Sequence, residues 1–395
     1  MTGSAPPSTF PPLSPAQAEH SRALEQFLRA RIAAAGGWID FETFMDIALY
    51  APGLGYYSAG STKLGPGGDF VTAPEVSDLF SRCVARQCAE ILAAHPTGEI
   101  LEIGAGSGRM AGAILAELAA GGRAPARYRI LELSADLRER QQQHLQRLPR
   151  ELGARVEWLE RLPEAPLAGV VLANEVLDAL PVQRLVVHER GLGVLGIGLD
   201  AQGALSEVER PAPAALRAAY DALLPQLPAA LSEGYCCELR PRIAPWVASL
   251  AHCLGRGVML LFDYGLPRAH YYHPERIAGT LRCHYRHRAH DDPLLHPGLQ
   301  DITAWVDFTS VAEAADAAGL EVLGFATQAA FLIGTGLAEL AAEADGTLER
   351  LARAGEARRL LMPEEMGEAF KVMALGRGWH APLSGFAHHD LRHLL

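Results

Sequence analysis

The sequence predicts an α/β protein with a largely parallel central sheet, and three observations support this fold class. Short apolar segments alternate with helical patterns along most of the chain. One segment, G-V-V-L-A-N-E from Gly169 to Glu175, is apolar almost to its end, as expected for a strand buried on both faces. A glycine-rich turn follows the first apolar segment and opens a helix. We expect core strands near Ile100, Ile130, Val156, Val171, Met259, Val322 and Val372.

Size and charge narrow the class of protein. The 395 residues, 49% of them hydrophobic, suffice for one elaborated domain or two smaller ones. Asp and Glu outnumber Lys and Arg by 46 to 35, a net charge of −11. This balance argues against a nucleic-acid-binding face and is compatible with a cationic protein or small-molecule partner. The six cysteines show no C-x-x-C spacing, so neither a zinc ribbon nor a disulfide scaffold is expected.

The N-terminal residues show no targeting pattern. They lack the basic start and apolar centre of a secretory signal and the arginine-rich character of an organellar presequence. We therefore expect residues 1–13 to form a mobile tail on a cytoplasmic protein. No apolar run reaches the roughly 18 residues that span a bilayer, so no membrane insertion is expected.

Residues 14–85 are predicted to form a helical and loop segment that covers the cofactor site. Apolar spacing favours a first helix from Ser14 to Arg31 and a second from Asp40 to Tyr50. A loop rich in glycine and proline follows, and a third helix is expected from Glu75 to Ala94.

The glycine-rich turn lies in L-E-I-G-A-G-S-G, from Leu101 to Gly108. Its pattern is G-x-G-x-G rather than the G-x-G-x-x-G of dinucleotide sites, and Glu102 precedes it. An acid there suits the ammonium and sulfonium of S-adenosylmethionine better than a pyrophosphate. NAD binding and an ordinary tight turn remain as alternatives. The residues that we expect to bind the cofactor here are Glu102, Gly104, Ala105, Gly106 and Gly108.

A second acid follows the next predicted strand, R-Y-R-I-L-E-L from Arg127. The carboxylate of Glu132 can accept both ribose hydroxyls of a nucleoside. Leu133, directly after it, is expected beside the same ligand. The order strand, glycine turn, helix, strand, acid strengthens the prediction of S-adenosylmethionine binding.

Polar residues end the fourth predicted strand, in A-N-E-V-L-D-A-L-P. Ligands of open α/β sheets bind at the carboxyl ends of the strands, which places Asn174 beside the cofactor. Methyl transfer from a sulfonium is an in-line displacement that requires an aimed nucleophile and removal of a proton. Two carboxylates fit an arginine substrate, so Glu175 and Asp178 are predicted as catalytic residues. Alternatively, Asp178 caps the following turn and Glu175 pairs with a structural arginine.

The loop G-G-D-F-V-T-A-P-E, from Gly67 to Glu75, is expected to close over the cofactor. Alternatively, Asp69 or Thr72 only caps a helix. The candidates for cofactor binding in this loop are Gly68, Asp69, Thr72 and Pro74.

Two insertions are predicted to divide the core, which we assign to residues 86–184 and 235–380. Short β segments with glycine turns indicate an inserted antiparallel hairpin over 185–234. Residues 267–301, rich in His, Arg and Tyr, indicate a lid or substrate-recognition segment over the sheet's edge. The histidines of Arg282 to His290 lack a metal-ligand spacing and alternate with arginines, so no metal site is expected.

With these motifs in place, the chain resembles the MidA family of class I S-adenosylmethionine-dependent methyltransferases. That family includes the mitochondrial complex I assembly factor regarded as a protein arginine methyltransferase. The distinctive matching segments are Y-A-P-G-L-G-Y-Y, G-D-F-V-T-A-P-E-V-S, A-N-E-V-L-D-A-L-P-V and G-T-L-R-C-H-Y-R-H. The resemblance implies a Rossmann-like seven-stranded sheet whose last strand runs antiparallel, with Phe370 to Leu375 beside Val322 to Phe325. It also implies symmetric dimethylation of an arginine on a core subunit of respiratory complex I.

These observations together predict an S-adenosylmethionine-dependent protein arginine N-methyltransferase. Two other functions remain open: a methyltransferase for a small molecule or another residue type, and a largely non-catalytic assembly chaperone. A dehydrogenase is a further alternative, which applies if the glycine turn binds NAD instead of S-adenosylmethionine. No pattern indicates an oligomeric state.

Overall fold

The computed structural model describes residues 10–58, 72–343 and 346–395. Its helices are α1 (Pro15–Ala34), α2 (Phe41–Tyr50), α3 (Ala73–Val76), α4 (Asp78–Ala93), α5 (Arg109–Ala120), α6 (Ala135–Leu145), α7 (Arg150–Gly153), α8 (Ala214–Leu223), α9 (Ile243–Cys253), α10 (Arg268–Tyr271), α11 (Phe308–Ala317), α12 (Gln328–Gly334), α13 (Leu337–Ala342) and α14 (Thr347–Leu361). Its strands are β1 (Trp38–Asp40), β2 (Glu99–Ile103), β3 (Tyr128–Leu131), β4 (Val156–Leu159), β5 (Leu167–Asn174), β6 (Gln183–His188), β7 (Gly191–Leu199), β8 (Leu205–Pro211), β9 (Cys236–Leu239), β10 (Leu254–Leu266), β11 (Arg282–Tyr285), β12 (Arg288–His290), β13 (Asp301–Thr303), β14 (Val306–Asp307), β15 (Glu321–Thr327) and β16 (Phe370–Arg377).

The central sheet contains all seven predicted core strands, in the order β15-β16-β10-β5-β2-β3-β4, with β14 beside the end of β10. Strand β16 runs antiparallel to both of its neighbours, and the other core pairs are parallel. Val322 lies opposite Leu375, and Phe325 lies opposite Met373. The predicted fold class, including its antiparallel last strand, is confirmed.

Helices cover both faces of this sheet because its strands are apolar on both sides. Alternate residues of β5 face opposite layers: Val170 packs with α4 and α5, whereas Val171 packs with α9 and α11. Both side chains are completely buried. Between these two layers, the parallel strands β2, β3, β5 and β10 bring their carboxyl ends to one edge of the sheet.

A second, antiparallel sheet is larger than the hairpin predicted for 185–234. Its order is β1-β7-β6-β9, with β8 also paired to β7. This sheet includes β1, from the N-terminal segment, and β9, which lies beyond the predicted end of the insertion. Residues 236–239 therefore belong to the second sheet and not to the central sheet. Both added strands are short, and their partners are distant in sequence, so periodicity could not assign them.

The described part of the N-terminal segment contains the predicted helices, and the third of these is divided into two. Ser14 and Gln17 form a capping box at the start of α1, and Asp40 caps α2 through the N–H of Thr43. The helix expected from Glu75 to Ala94 is broken at Ser77, whose backbone is extended at φ −160°. The Ser77 hydroxyl accepts a hydrogen bond from the N–H of Leu79 and thereby starts α4 anew.

Candidate active site

A cavity of about 450 Å³ opens at the carboxyl ends of β2, β3 and β5. This is where open α/β sheets bind ligands. Of the predicted site residues, the cavity is lined by Glu102, Gly104, Ala105, Gly106, Glu132, Leu133, Asn174, Glu175, Asp178, Thr72 and Pro74. Gly108 is not among the lining residues, and Gly68 and Asp69 lie outside the described part of the chain.

The glycine turn has the backbone that its sequence predicts. Gly104, Gly106 and Gly108 have φ values of 67°, 54° and 82°, in the left-handed region that favours glycine. A Cβ at Gly108 would lie 3.2 Å from the Cα of Gln141, so this glycine allows α5 and α6 to approach closely. Gly108 therefore has a packing role, whereas Gly104 and Gly106 face the cavity.

Glu132 is held in place by two donors. The N–H of Ser134 donates to its Oε1 at 2.9 Å, and the side-chain amide of Gln141 donates to its Oε2 at 2.9 Å. The same Gln141 amide donates to the carbonyl oxygen of Gly106 at 3.0 Å. Gln141 thus fixes the predicted ribose acid relative to the glycine turn. Gln141 was not predicted as a site residue, because it lies in a run of three glutamines that resembles the solvent-exposed face of a helix.

Glu102 is buried at the base of the cavity. The hydroxyl of Tyr128 donates to its Oε2 at 2.7 Å. Burial raises the pKa of Glu102 to about 7, against the opposing effect of the Tyr128 hydrogen bond. A nearby cation would favour the ionised form, which is compatible with the predicted role of Glu102 toward an ammonium group.

Helix α3 closes one side of the cavity. The Ser107 hydroxyl donates to Glu75, and Arg109 lies 3.7 Å from the same carboxylate. Thr72 stands at the cap position of α3 but forms no side-chain capping hydrogen bond. The capping alternative for Thr72 is therefore not seen, and this residue faces the cavity instead.

Glu175 has a strained backbone and a perturbed carboxyl group. Its φ is 53°, a conformation that is uncommon for a residue other than glycine and that clusters at functional sites. The Asn174 amide donates to its Oε1 at 3.1 Å. Burial, with the neighbouring Asp178 adding, raises the pKa of Glu175 to about 8. In the described residues Glu175 forms no ion pair with an arginine, so the structural-arginine alternative is not seen.

Asp178 carries an unsatisfied oxygen. Only 5% of the residue is exposed, and its Oδ1 has no hydrogen-bond partner in the described part of the chain. Burial raises its pKa, whereas the charge of Arg240 lowers it. A buried carboxylate oxygen without a donor is costly, and its presence in a cavity indicates a cationic or hydrogen-bonding ligand.

Asp263, which the sequence analysis did not single out, shapes the turn that carries Asp178. Its Oδ2 accepts hydrogen bonds from the N–H groups of Val176, Leu177 and Asp178 at 3.1, 2.8 and 3.2 Å. The segment L-F-D-Y-G, which contains Asp263, has the apolar pattern of a core strand. An acid inside such a strand was the feature of the sequence that could have indicated a functional role for Asp263.

A second group of side chains also lines the cavity and was not predicted; one of its members, Asp301, lies close enough to Glu175 to raise the pKa of that carboxyl group. Asp301 and His284 are cross-strand partners in the small sheet β12-β11-β13, within the insertion predicted as a lid. Burial, and the nearby His290 and Arg282, lower the pKa of His284, which keeps it neutral near pH 7. The remaining members of this group are Tyr50, Tyr57, Trp246, Tyr264 and Thr303.

The charges around the cavity decide between the two cofactors considered. Six acids line it, namely Glu75, Glu102, Glu132, Glu175, Asp178 and Asp301. No lysine or arginine of the described residues does so. These acids would repel a pyrophosphate, whereas they can pair with the ammonium and sulfonium of S-adenosylmethionine. The lining therefore favours S-adenosylmethionine over a dinucleotide.

The sequence of the chain decides its family. The Methyltransf_28 family, described as S-adenosyl-L-methionine-dependent methyltransferases, matches residues 83–326, more than half of the chain. The chain belongs to this family. It is accordingly an S-adenosylmethionine-dependent methyltransferase, as the glycine turn and the acid-lined cavity predicted.

Solved and curated relatives cover nearly the whole chain. A protein from Burkholderia thailandensis, crystallised with S-adenosyl-homocysteine, is 43% identical with a TM-score of 0.93, covering 98% of this chain and 100% of its own. Protein arginine methyltransferase NDUFAF7 homolog of Drosophila melanogaster is 29% identical, covering 94% of this chain and 89% of that protein. The NDUFAF7 protein of Danio rerio is 26% identical, with coverages of 90% and 87%.

The names of these relatives bear on the expected location. Both NDUFAF7 proteins are mitochondrial by name, so the cytoplasmic location expected from the N-terminal residues stays a prediction. None of the described helices is long and apolar enough to cross a membrane. Within the described residues, no group of three or more His, Cys, Asp or Glu is arranged to hold a metal ion.

Proposed function

We propose that this methyltransferase transfers a methyl group to an arginine side chain of a protein. The observation that carries the proposal is the unpartnered Oδ1 of Asp178, buried beside Glu175 in a cavity lined by acids. An arginine guanidinium is a planar cation whose N–H groups match carboxylates in pairs. The name protein arginine methyltransferase, given to the NDUFAF7 relatives, supports the same assignment.

We assign the cofactor to the glycine-turn side of the cavity. Glu132 would bind the ribose hydroxyls, with Leu133 beside the base, because its carboxylate is already oriented by Ser134 and Gln141. Glu102, Asn174 and the turn Gly104–Gly106 would surround the amino-acid end. Thr72 and Pro74 would cover it. The predicted cofactor-binding residues Gly68 and Asp69 lie outside the described residues. When bound, S-adenosylmethionine supplies an electrophilic methyl group on a positively charged sulfur.

Glu175 and Asp178 would orient the acceptor. Their carboxylates can hold one edge of the guanidinium and direct one nitrogen toward the cofactor side. The bound cation lowers the pKa of both groups and so offsets the cost of their burial. Formation of the new carbon–nitrogen bond releases one proton, which the Glu175 carboxylate can accept because the bound cation has favoured its ionised form.

The finer assignments follow from the resemblance to the MidA family. We propose that the product is symmetric dimethylarginine and that the substrate is a core subunit of a respiratory complex I. The net charge of −11 is compatible with a basic protein segment as the partner.

A methyl-transfer assay tests the proposal. Purified protein is incubated with isotopically labelled S-adenosylmethionine and a complex I core subunit, and modified residues are located by fragmentation in the mass spectrometer. We expect label on arginine, with fragment ions that distinguish symmetric from asymmetric dimethylation. Label on lysine, on a carboxylate or on a small molecule alone would contradict an arginine acceptor.

A further inference from the structure

Asp301 reaches the cavity from an element far from β5 in sequence. It begins β13, the residue is only 3% exposed, and it lines the same cavity as Glu175, whose pKa its charge helps to raise. The hydroxyl of Tyr57 donates to its Oδ1 at 3.0 Å. A tyrosine from the N-terminal segment therefore fixes the orientation of this carboxylate.

Contacts on two sides fix Asp301 relative to Asp178. The ring of Tyr57 stacks on Tyr50 with centroids 5.6 Å apart, and the Tyr50 hydroxyl donates to the carbonyl oxygen of Ala179 at 2.9 Å. On the other side, the N–H of Ala304 donates to the carbonyl oxygen of Asp178 at 3.1 Å. The two acids are thus held by a continuous set of contacts rather than by one flexible loop.

We propose that Asp301 is a third acceptor-binding carboxylate, and that together with Glu175 and Asp178 it selects a guanidinium over an ammonium group. This inference rests on the proposed arginine acceptor. A guanidinium presents five N–H donors that point in several directions within one plane. Glu175 and Asp178 share one turn and can satisfy one edge of that plane. A carboxylate from a separate strand can satisfy a second edge.

Charge and shape favour the same assignment. An ammonium is a compact charge whose three donors surround one nitrogen, so it does not pair bidentately with carboxylates as the planar fork of a guanidinium does. The aromatic rings of Tyr50, Tyr57 and Tyr264 border the same space and suit the flat face of a guanidinium. The Oδ1 of Asp178 has no hydrogen-bond partner among the described residues, which is compatible with a cationic ligand beside this carboxylate.

Binding of small cations tests the inference without the transfer reaction. Calorimetry measures the affinity of the protein, saturated with S-adenosyl-homocysteine, for agmatine, which carries a guanidinium, and for cadaverine, which carries ammonium groups only. We expect the wild type to prefer agmatine. Asp301→Asn should weaken agmatine binding about tenfold or more, from the loss of a charge-assisted contact, and should reduce the preference. The affinity for S-adenosyl-homocysteine should not change.

Two further variants test whether the carboxylate of Asp301 is what strengthens agmatine binding. Asp291→Asn removes an acid of the same insertion whose side chain is 74% exposed, and it should leave both affinities unchanged. Tyr57→Phe keeps the ring but removes the hydrogen bond to Asp301, so agmatine binding should weaken by a smaller factor. This variant also carries the test if Asp301→Asn fails to fold, which circular dichroism reports.

The outcomes separate this inference from the proposed function. If Glu175→Gln abolishes agmatine binding while Asp301→Asn and Tyr57→Phe do not change it, the third carboxylate is refuted and the arginine acceptor stands. If the wild type prefers cadaverine, both the arginine acceptor and the selectivity are refuted. If cadaverine binding then also weakens in Asp301→Asn, only the role of Asp301 as a cation ligand survives.

Discussion

Nη2 of Arg240 donates a hydrogen bond to the carbonyl oxygen of Asp178 at 3.1 Å. The same guanidinium donates to the carbonyl oxygens of Leu180, Ala304 and Trp305. It therefore ties the turn after β5 to the segment that follows β13. A single side chain joins the two elements that carry Asp178 and Asp301.

Replacing this arginine should loosen both elements. Arg240→Lys keeps the positive charge but loses the planar fork, so most of the four hydrogen bonds cannot form. We expect the free energy of unfolding to fall by about 2–4 kcal/mol and the KM for the acceptor to rise. Urea denaturation and steady-state kinetics measure the two effects. Arg161→Lys, at a side chain that is 85% exposed, is the control, and equal stabilities of the two variants would contradict the role of Arg240.

The glycine turn gives a second prediction. Gly106 has φ 54° and faces the cavity, so Gly106→Val places a branched side chain in the space needed by the amino-acid end of the cofactor. We expect calorimetry to detect no binding of S-adenosyl-homocysteine, while circular dichroism stays that of a folded protein. Gly355→Val provides the control, because a Cβ there meets nothing within 4 Å. Global unfolding of Gly106→Val would make this glycine structural instead.

The parts of the site that the sequence predicted are those carried by the ends of parallel strands. Gly104, Glu132 and Glu175 each follow a core strand, and the parallel arrangement brings such ends to one edge whatever the loops do. Local patterns were therefore sufficient to place them together. The antiparallel direction of the last strand could not be predicted in this way, because nothing in the periodicity of β16 indicates it. That direction was predicted only from the family resemblance.

The acceptor side could not be predicted in this way. Asp301 and His284 enter the cavity through the register of short antiparallel strands, which packing decides and which composition does not reveal. We predict that the segment from Arg282 to His290 is dispensable for cofactor binding and is needed for acceptor recognition. Its excision is not a clean test, however, because Cys283 and Tyr285 are buried at 0% and 2% exposure.

Catalysis should depend strongly on Glu175. Glu175→Gln removes the charge that orients the guanidinium but keeps a similar shape, so we expect methyl transfer to fall by about 10²-fold or more. Single-turnover rates at saturating cofactor measure the effect, and the affinity for S-adenosyl-homocysteine should be unchanged. Asp178→Asn should also be impaired, since it removes the charge of the second carboxylate that we propose orients the acceptor. An unchanged rate in Glu175→Gln would move the role to another acid, with Asp69 as the next candidate.

The buried carboxyl of Glu175 should also make stability depend on pH. Burial raises its pKa from 4.5 to about 8. Between these values the folded protein binds more protons than the unfolded chain, so its free energy of unfolding falls as pH rises. Glu175→Gln removes this titration. Without ligand, the variant and the wild type should have similar stabilities at pH 5, and the variant should be the more stable at pH 8.5.

Urea denaturation at the two pH values measures this difference. Glu160→Gln, at a side chain that is 81% exposed, serves as the control and should leave stability unchanged at both pH values. Agmatine together with S-adenosyl-homocysteine should narrow the gap at pH 8.5, because a bound cation favours the ionised carboxylate that the empty cavity disfavours. A gap of the same size at pH 5 and pH 8.5 would show that the charge of Glu175 is not what destabilises the unliganded protein. The acid would then be retained at no cost to the fold, contrary to the burial seen here.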